Sequence, residues 1–165
     1  MPAIIALTNP KSPTNVGAVM RAAGCFQATQ VMYTGQRYER AARFHTDTKN
    51  ATNKIPLTPV ENFIVAKPAG YQLVCVDLVE GATPLPEFEH PENAVYVFGA
   101  EDGSLDQAMV DAADHVVYVP TIGCLNLAAS VNVLLYDRTS KLATLTAGDE
   151  LIRSSRDRNN TATVK

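Results

Sequence analysis

The sequence is poor in the residues that build metal centres, disulfide frameworks and membrane spans. Its 165 residues include three cysteines, three histidines and no tryptophan. Cys25, Cys75 and Cys124 lie far apart, and an odd number without CxxC spacing argues against both disulfides and zinc. No apolar run is long enough to cross a bilayer, and the N-terminus lacks the features of a signal peptide. We therefore expect a cytoplasmic protein with no membrane association and no metal.

Composition and charge narrow the classes of partner. Hydrophobic residues make up 46% and charged residues 19% of the chain, which is typical of a globular protein with one core. The sequence contains neither the GxGxxG dinucleotide-binding fingerprint nor a P-loop, so it gives little support to an ordinary Rossmann protein or a nucleoside triphosphatase. The net charge of −3 argues weakly against a nucleic-acid partner. However, the segment from 37 to 54 contains five basic residues and only two acidic ones. A basic face on an acidic protein is therefore compatible with the sequence.

The order of apolar segments predicts the fold class. Strands are expected at 3–7, 29–34, 71–78, 94–98 and 116–119. Helices are expected from Thr14 or Asn15 to Gly24, within 38–54, and at 59–66, 106–113 and 125–135. This alternation predicts an α/β protein with a mainly parallel sheet flanked by helices. One domain would span 1–147, and 148–165 would form a frayed polar tail.

The strand, turn and helix between residues 115 and 138 are the centre of the prediction. No polar residue interrupts 116–119, which favours a buried strand. The helix that follows is apolar or small on nearly every side, so its own domain and a second subunit are both expected to cover it. Polar residues lie between strand and helix, at the sheet edge where ligands bind in open α/β folds.

Three loops carry polar residues beside glycine, and each also has a simpler interpretation. The first loop contains Asn15, Gly17 and Arg21, and Arg21 could simply be an exposed arginine on an amphipathic helix. Glu101, between Gly99 and Gly103, could anchor only its own turn. Asn126 could do no more than cap the following helix. Cys124, in the same loop, is more often a small buried hydrophobe than a nucleophile.

Taken together and in this order, the three loops resemble the SpoU/TrmH family of the SPOUT superfamily, whose members are S-adenosylmethionine-dependent RNA ribose 2′-O-methyltransferases. The family's first motif, N-x-G-x-x-x-R, is met by Asn15, Gly17 and Arg21. Its second, G-x-E-x-x-G-L, is met by Gly99, Glu101 and Leu105, although the second glycine comes one residue early and Ser104 takes its place. Its third motif is met by Val119-Pro120-Thr121, by Cys124 to Ala128 and by Tyr136-Asp137, with a shorter loop and a cysteine in place of the first serine.

The resemblance implies a minimal, single-domain member with a C-terminal trefoil knot and a homodimeric assembly. It also implies that S-adenosylmethionine is the cofactor. The cofactor-binding residues would be Val76, Gly99, Val119, Ile122, Cys124 and Leu125. The catalytic residues would be Arg21, Asn15, Glu101 and Asn126, with Arg21 as either the base or a positioning group. The RNA phosphates would contact Arg37, Arg40 and Arg43.

The function that the resemblance implies is methyl transfer to a ribose 2′-hydroxyl of RNA, with tRNA ahead of rRNA as the substrate. The altered second motif and Cys124 motivate an alternative, a catalytically altered RNA-binding or assembly protein that retains the fold. The net acidity motivates a third, a small-molecule enzyme. Binding of cofactor and retardation of RNA would discriminate among the three.

Overall fold

Seven parallel strands form one sheet in the computed structural model, which describes residues 1–43, 55–144 and 146–164. The strands are β1 (Ala3–Leu7), β2 (Gln30–Tyr33), β3 (Leu57–Pro59), β4 (Gln72–Val76), β5 (Thr83–Pro84), β6 (Ala94–Phe98) and β7 (His115–Tyr118). Their order across the sheet is β3-β2-β1-β6-β4-β7-β5, and every neighbouring pair is parallel. The predicted α/β class with a parallel sheet is therefore confirmed.

Six α-helices accompany the sheet within the described residues. They are α1 (Pro13–Cys25), α2 (Arg37–Ala42), α3 (Phe63–Ala66), α4 (Gln107–Ala112), α5 (Leu127–Leu142) and α6 (Asp149–Ser155). Helix α1 starts before the predicted Thr14 or Asn15 because Ser12 is its cap and accepts a hydrogen bond from the Asn15 backbone N–H at 3.2 Å. A proline at the first helical position needs no hydrogen-bond acceptor, which suits this start. The helix also continues one residue past Gly24.

Helices cover both faces of the sheet, and β1 shows how the sequence divides between them. Ile5 and Leu7 belong to the core shared with α1 and α5, while Ile4 and Ala6 belong to the core shared with α3 and α4. Successive side chains of a strand point to opposite faces, so a strand buried on both sides is apolar throughout. All five residues of β1 are buried, as are all five of β6.

Several sequence-based expectations differ from the structure. Only Val117 of β7 is fully buried, because the strand lies next to the two-residue edge strand β5. The helix expected at 59–66 begins at Phe63, capped by Asn62, and Pro59 is instead the last residue of β3. Helix α2 begins at Arg37, and residues 44–54 of the predicted basic stretch lie outside the described residues.

The C-terminal part differs most from expectation. Helix α5 is longer than predicted, and in the single chain it leaves Val133 (39%) and Tyr136 (68%) exposed, so its own domain does not cover it on every side. The expected frayed tail contains α6, whose residues are exposed. No helix among the described residues is both long and apolar enough to span a membrane. The trefoil knot stays a prediction.

Candidate active site

A cavity of about 440 Å³ lies at the carboxyl ends of β4, β6 and β7. Its volume is within the range of about 300–1,000 Å³ that small-molecule sites occupy. Five of the six predicted cofactor-binding residues line it: Val76, Gly99, Val119, Cys124 and Leu125. Ile122 does not line it, and its side chain is fully exposed.

Glu101 joins the three motif loops at the rim of this cavity. One of its oxygens accepts a hydrogen bond from the Lys11 backbone N–H at 3.0 Å. The other accepts from the Ser12 backbone N–H at 3.1 Å and from Asn15 Nδ2 at 3.3 Å. Asn15 Oδ1 in turn accepts from Asn126 Nδ2 at 3.2 Å. Side chains that are 86 and 111 positions apart in the sequence are thereby held in one chain of hydrogen bonds.

Asn126 also caps helix α5, so the simpler interpretation of this residue holds alongside the functional one. Its Oδ1 accepts hydrogen bonds from the backbone N–H groups of Ala128 at 2.9 Å and Ala129 at 3.4 Å. An amide has both an acceptor oxygen and a donor nitrogen, which allows the two tasks together. Asn126 therefore sets the start of α5 and its position relative to α1.

Hydrogen bonding sets the protonation state of Glu101. Partial burial by itself would raise the pKa of this carboxyl. The backbone N–H groups of Glu101, Lys11 and Ser12 and the Asn15 side chain outweigh that effect and hold the pKa below its usual value. Glu101 is therefore ionised near neutral pH and acts as an acceptor that positions the loops.

Asp77 and Gly99 stabilise the turn that carries Glu101. Asp77 Oδ2 accepts from the Leu105 backbone N–H at 2.8 Å, and Oδ1 accepts from the Leu78 backbone N–H at 2.8 Å. A Cβ atom at Gly99 would lie 3.1 Å from the Gly103 carbonyl oxygen and 3.3 Å from Asp77 Oδ2. Glycine is needed for this close return of the chain. Asp77 was not predicted as a site residue, although a carboxylate directly after a buried strand was an available signal.

Two of the three departures from the family motifs, the early glycine and the short loop, have local structural explanations. In the second motif, Gly103 donates to the Ala100 carbonyl at 3.2 Å, and neither Gly103 nor Ser104 has a positive φ. A serine at position 104 is therefore accommodated without backbone strain. In the third motif, Gly123 has φ +87°, and Thr121 Oγ1 closes the short loop by donating to the Gly123 carbonyl at 2.8 Å.

Cys124 is exposed and lines the cavity, so its interpretation as a buried hydrophobe is wrong. Cys75 is the buried cysteine, and burial raises the pKa of its thiol to about 12. Within the part of the chain that the structure describes, no group of three or more His, Cys, Asp or Glu side chains is arranged to hold a metal ion.

Arg21 is exposed on α1 and does not line the cavity of its own chain. Gly17, one turn earlier, has open space where a side chain would stand. Within the described residues Arg21 has no hydrogen-bond or ion-pair partner, which leaves the guanidinium available to a ligand. Its catalytic role stays a prediction.

The three arginines predicted to contact RNA differ in their surroundings. The Arg37 guanidinium donates to both oxygens of Asp102, at 2.9–3.0 Å, and to the Asn9 carbonyl, at 2.6 and 3.0 Å. This contact is the main reason that the pKa of Asp102 falls to about 2. Arg40 and Arg43 are exposed on and beside α2. The RNA contact stays a prediction for all three, and Arg37 would have to exchange Asp102 for a phosphate.

Comparisons with known proteins agree with the observed fold. The SpoU rRNA Methylase family matches residues 2–136. The solved TrmH/SpoU tRNA modifying enzyme of A. aeolicus has a TM-score of 0.74 and 20% identity, over 86% of this chain and 76% of that one. The SpoU methyltransferase AviRb from Streptomyces viridochromogenes has a TM-score of 0.69 and 20% identity, over 88% of this chain.

A third solved structure, described as "Structural insights into the 2-OH methylation of C/U34 on tRNA", has a TM-score of 0.70 and 21% identity, over 87% of this chain and 97% of that one. By contrast, the present chain spans only 62% of AviRb. No curated protein sequence matches significantly. At these identities the solved structures establish a shared fold, whereas the family match covers most of the sequence: the chain belongs to the SpoU rRNA methylase family.

Proposed function

We propose that this protein transfers a methyl group from S-adenosylmethionine to a ribose 2′-hydroxyl of RNA. The observation that carries the proposal is the chain of hydrogen bonds from Glu101 through Asn15 to Asn126, which joins the three motif loops around one cavity. Family membership supports the reaction class. One solved neighbour is described as an RNA 2′-O ribose methyltransferase, and others are described as bound to AdoMet.

The residues around the cavity fit S-adenosylmethionine. Apolar side chains of Val76, Val119 and Leu125 can cover a planar heteroaromatic ring, and Gly99 adds backbone atoms to the same wall. The carboxylates of the lining suit a ligand of net positive charge. When bound, the cofactor supplies a methyl group already activated by a sulfonium, so the protein's own work is positioning and charge management.

Each residue of the network has a positioning task in this proposal. Glu101 holds the loop before α1 against the cavity, and Asn126 holds the start of α5 beside it. Arg21 binds the ribose hydroxyl or its phosphate as a cation. An arginine is a poor base because its guanidinium stays protonated in water, and Arg21 is exposed to water in a single chain.

A homodimer is part of the proposal. Val133 and Tyr136 on α5 form an exposed apolar stripe beside a shallow groove bordered by Leu85 and Pro86. A second copy seated there would cover the stripe. It would also explain why Arg21 lies outside its own chain's cavity, since the partner's cavity can use it.

We propose tRNA as the substrate. The solved structure described by methylation of C/U34 on tRNA is matched over 97% of its length, so the present chain resembles it in size as well as in fold. The A. aeolicus neighbour is also described as a tRNA modifying enzyme. Exposed Arg40 and Arg43 offer phosphate contacts that need no large additional domain.

Calorimetric titration with S-adenosylmethionine and transfer of labelled methyl groups to RNA from a deletion strain test the proposal. We expect binding, methylation of the tRNA fraction at a 2′-hydroxyl, and loss of transfer in Arg21→Ala. The matched control is Arg153→Ala, which removes an exposed arginine of α6. Absence of binding at millimolar cofactor would defeat the reaction, and full transfer by Arg21→Ala would defeat that residue's role. Binding without transfer to any cellular RNA would support the RNA-binding alternative.

A further inference from the structure

We infer that Asp77 makes the cavity selective for a cationic cofactor over its neutral product. The inference rests on the proposed function, because it concerns S-adenosylmethionine. Asp77 lies outside the three sequence motifs. It is placed at the cavity by β4, whose last residue, Val76, precedes it directly.

The charges of the cavity wall are of one sign. Asp77, Glu101 and Asp102 line the cavity, and none of the described residues that line it is lysine, arginine or histidine. A wall of this composition attracts a positive ligand and gives nothing to a neutral one beyond hydrogen bonds and packing.

The three carboxylates differ in how far their charge is compensated. Asp102 is paired with two cations, Arg37 at 2.9 Å and Lys11 at 3.3 Å, so it adds little field to the cavity. Among the described residues, Glu101 accepts hydrogen bonds only from backbone N–H groups and an amide. Within the same part of the chain, Asp77 accepts only from the backbone N–H groups of Leu78 and Leu105. Neutral donors stabilise a carboxylate without cancelling its charge, so two negative charges remain.

Asp77 is the better placed of these two to face a ligand. Its backbone N–H is held by the Val117 carbonyl at 3.0 Å, which fixes it between the ends of β4 and β7. Its carboxylate lies beside Gly99, close enough that a Cβ there would be 3.3 Å from Oδ2. A carboxylate has about four acceptor positions, and the hydrogen bonds from Leu78 and Leu105 use two of them.

The proposed reaction removes the charge that Asp77 would recognise. Methyl transfer breaks the carbon–sulfur bond and leaves its electron pair on sulfur, while the ribose oxygen gains the methyl group and releases its proton to solvent. The sulfonium becomes a neutral thioether, so S-adenosylhomocysteine has no net charge. At an effective dielectric constant of about 20, one charge pair at several ångströms is worth about tenfold in affinity after screening.

Calorimetric titrations with S-adenosylmethionine, S-adenosylhomocysteine and sinefungin, a cationic amine analogue, test this inference. The measured quantity is the dissociation constant for S-adenosylhomocysteine divided by that for each cationic ligand. We expect Asp77→Asn to lower this ratio about 5–10-fold. Asp77→Glu should retain the ratio because it keeps the charge. Asp111→Asn, which removes the same charge from an exposed position outside the cavity lining, should leave it unchanged.

The ratio separates a charge effect from damage to the loop. Loss of the Leu105 anchor would weaken all three ligands together and would cancel in the ratio. An unchanged ratio in Asp77→Asn, with every ligand weakened equally, would overturn the inference and leave Asp77 as a structural anchor. Failure of the wild-type protein to bind any of the three ligands would overturn the proposed function as well.

Discussion

Two polar networks attach helix α5 to the rest of the fold, one at its start and one near its end. The first is the chain from Asn126 through Asn15 to Glu101, at the rim of the cavity. The second is centred on Arg138, which is 4% exposed. The Arg138 guanidinium donates to the Pro91 and Glu92 carbonyls, at 2.6 Å each, to the Met1 carbonyl and to the Tyr96 hydroxyl.

The second network also fixes the state of a buried histidine. The Tyr96 hydroxyl accepts from Arg138 at 2.8 Å, and the Asp137 carboxylate, 2.8 Å from His90 Nε2, can only accept. In a neutral ring, Nε2 therefore carries the proton and donates it to Asp137, and Nδ1 accepts from the Tyr96 hydroxyl at 2.7 Å. This assignment describes a neutral imidazole, and burial, which lowers the pKa of His90, favours the same state.

The difference between the networks separates function from stability. The network at the rim uses neutral amides and one partly exposed carboxylate, so its groups remain accessible to a ligand. The network around Arg138 is buried, and its cation is surrounded by acceptors. A satisfied buried network stabilises one arrangement of the chain and has nothing left to offer a substrate. Substitutions in each network can show whether stability and activity are separable in this way.

Removal of Arg138 should have the largest effect on stability. Arg138→Met keeps most of the volume but leaves the Pro91 and Glu92 carbonyls without their donor. We expect the free energy of unfolding to fall by about 3 kcal/mol or more, measured by urea denaturation. The control Arg153→Met changes an exposed residue and should stay within about 0.5 kcal/mol. A loss below about 1 kcal/mol for Arg138→Met would contradict the assignment of stability to this network.

Substitution of Glu101 should lower the rate of methyl transfer strongly and the stability only weakly. Glu101→Gln retains one acceptor oxygen and so releases part of the loop formed by Lys11 and Ser12. Displacement of a catalytic loop by about 1 Å costs on the order of 100-fold in rate, so we expect methyl transfer to fall by about that factor. The free energy of unfolding should change by only about 1 kcal/mol. A fall in the free energy of unfolding as large as that expected for Arg138→Met, together with the fall in rate, would show that the two networks are not separable.

Asn126 can be compared with another asparagine cap. Asn62 accepts from the Ile64 and Val65 backbone N–H groups at the start of α3, away from the cavity. Both Asn126→Ala and Asn62→Ala should cost about 1 kcal/mol of stability in thermal or urea unfolding. Only Asn126→Ala should also slow methyl transfer, because it alone breaks the contact with Asn15. Similar activity in the two variants would reduce Asn126 to a cap.

The smallest expected effect concerns pH. Burial lowers the pKa of His90 in the folded protein, against the opposing influence of Asp137, so the unfolded chain binds more protons in this range. The stability that His90 contributes is complete above its ordinary pKa of about 6.5 and is lost as the pH falls below that value. Unfolding measured from pH 7 to pH 5 should therefore show a shallower decline in His90→Gln than in wild type. Parallel curves would show that His90 does not titrate against folding.

The parts of the fold that the sequence predicted well are those with strong local patterns. Strands β1 and β6 were predicted to the residue, since each is an uninterrupted apolar run that ends at polar or glycine residues. Strands β3 and β5, of three and two residues, are too short to show a pattern and were missed. Cys124 was interpreted from its chemical type as a buried residue, but exposure depends on neighbours distant in the chain.

The sequence alone determined the α/β class, which follows from local periodicity, and it singled out Asn15, Glu101 and Asn126 through the resemblance of the three loops to the family's motifs. Only the tertiary structure decided which atoms meet. The Asn15 amide joins Glu101 to Asn126 because a parallel sheet brings the carboxyl ends of distant strands to one edge. The structure also showed that Arg37 is paired with Asp102 whereas Arg40 and Arg43 are exposed, and it placed Asp77 at the cavity. Hydrogen bonds require contact within about 3 Å, and such contacts between distant residues are set by packing.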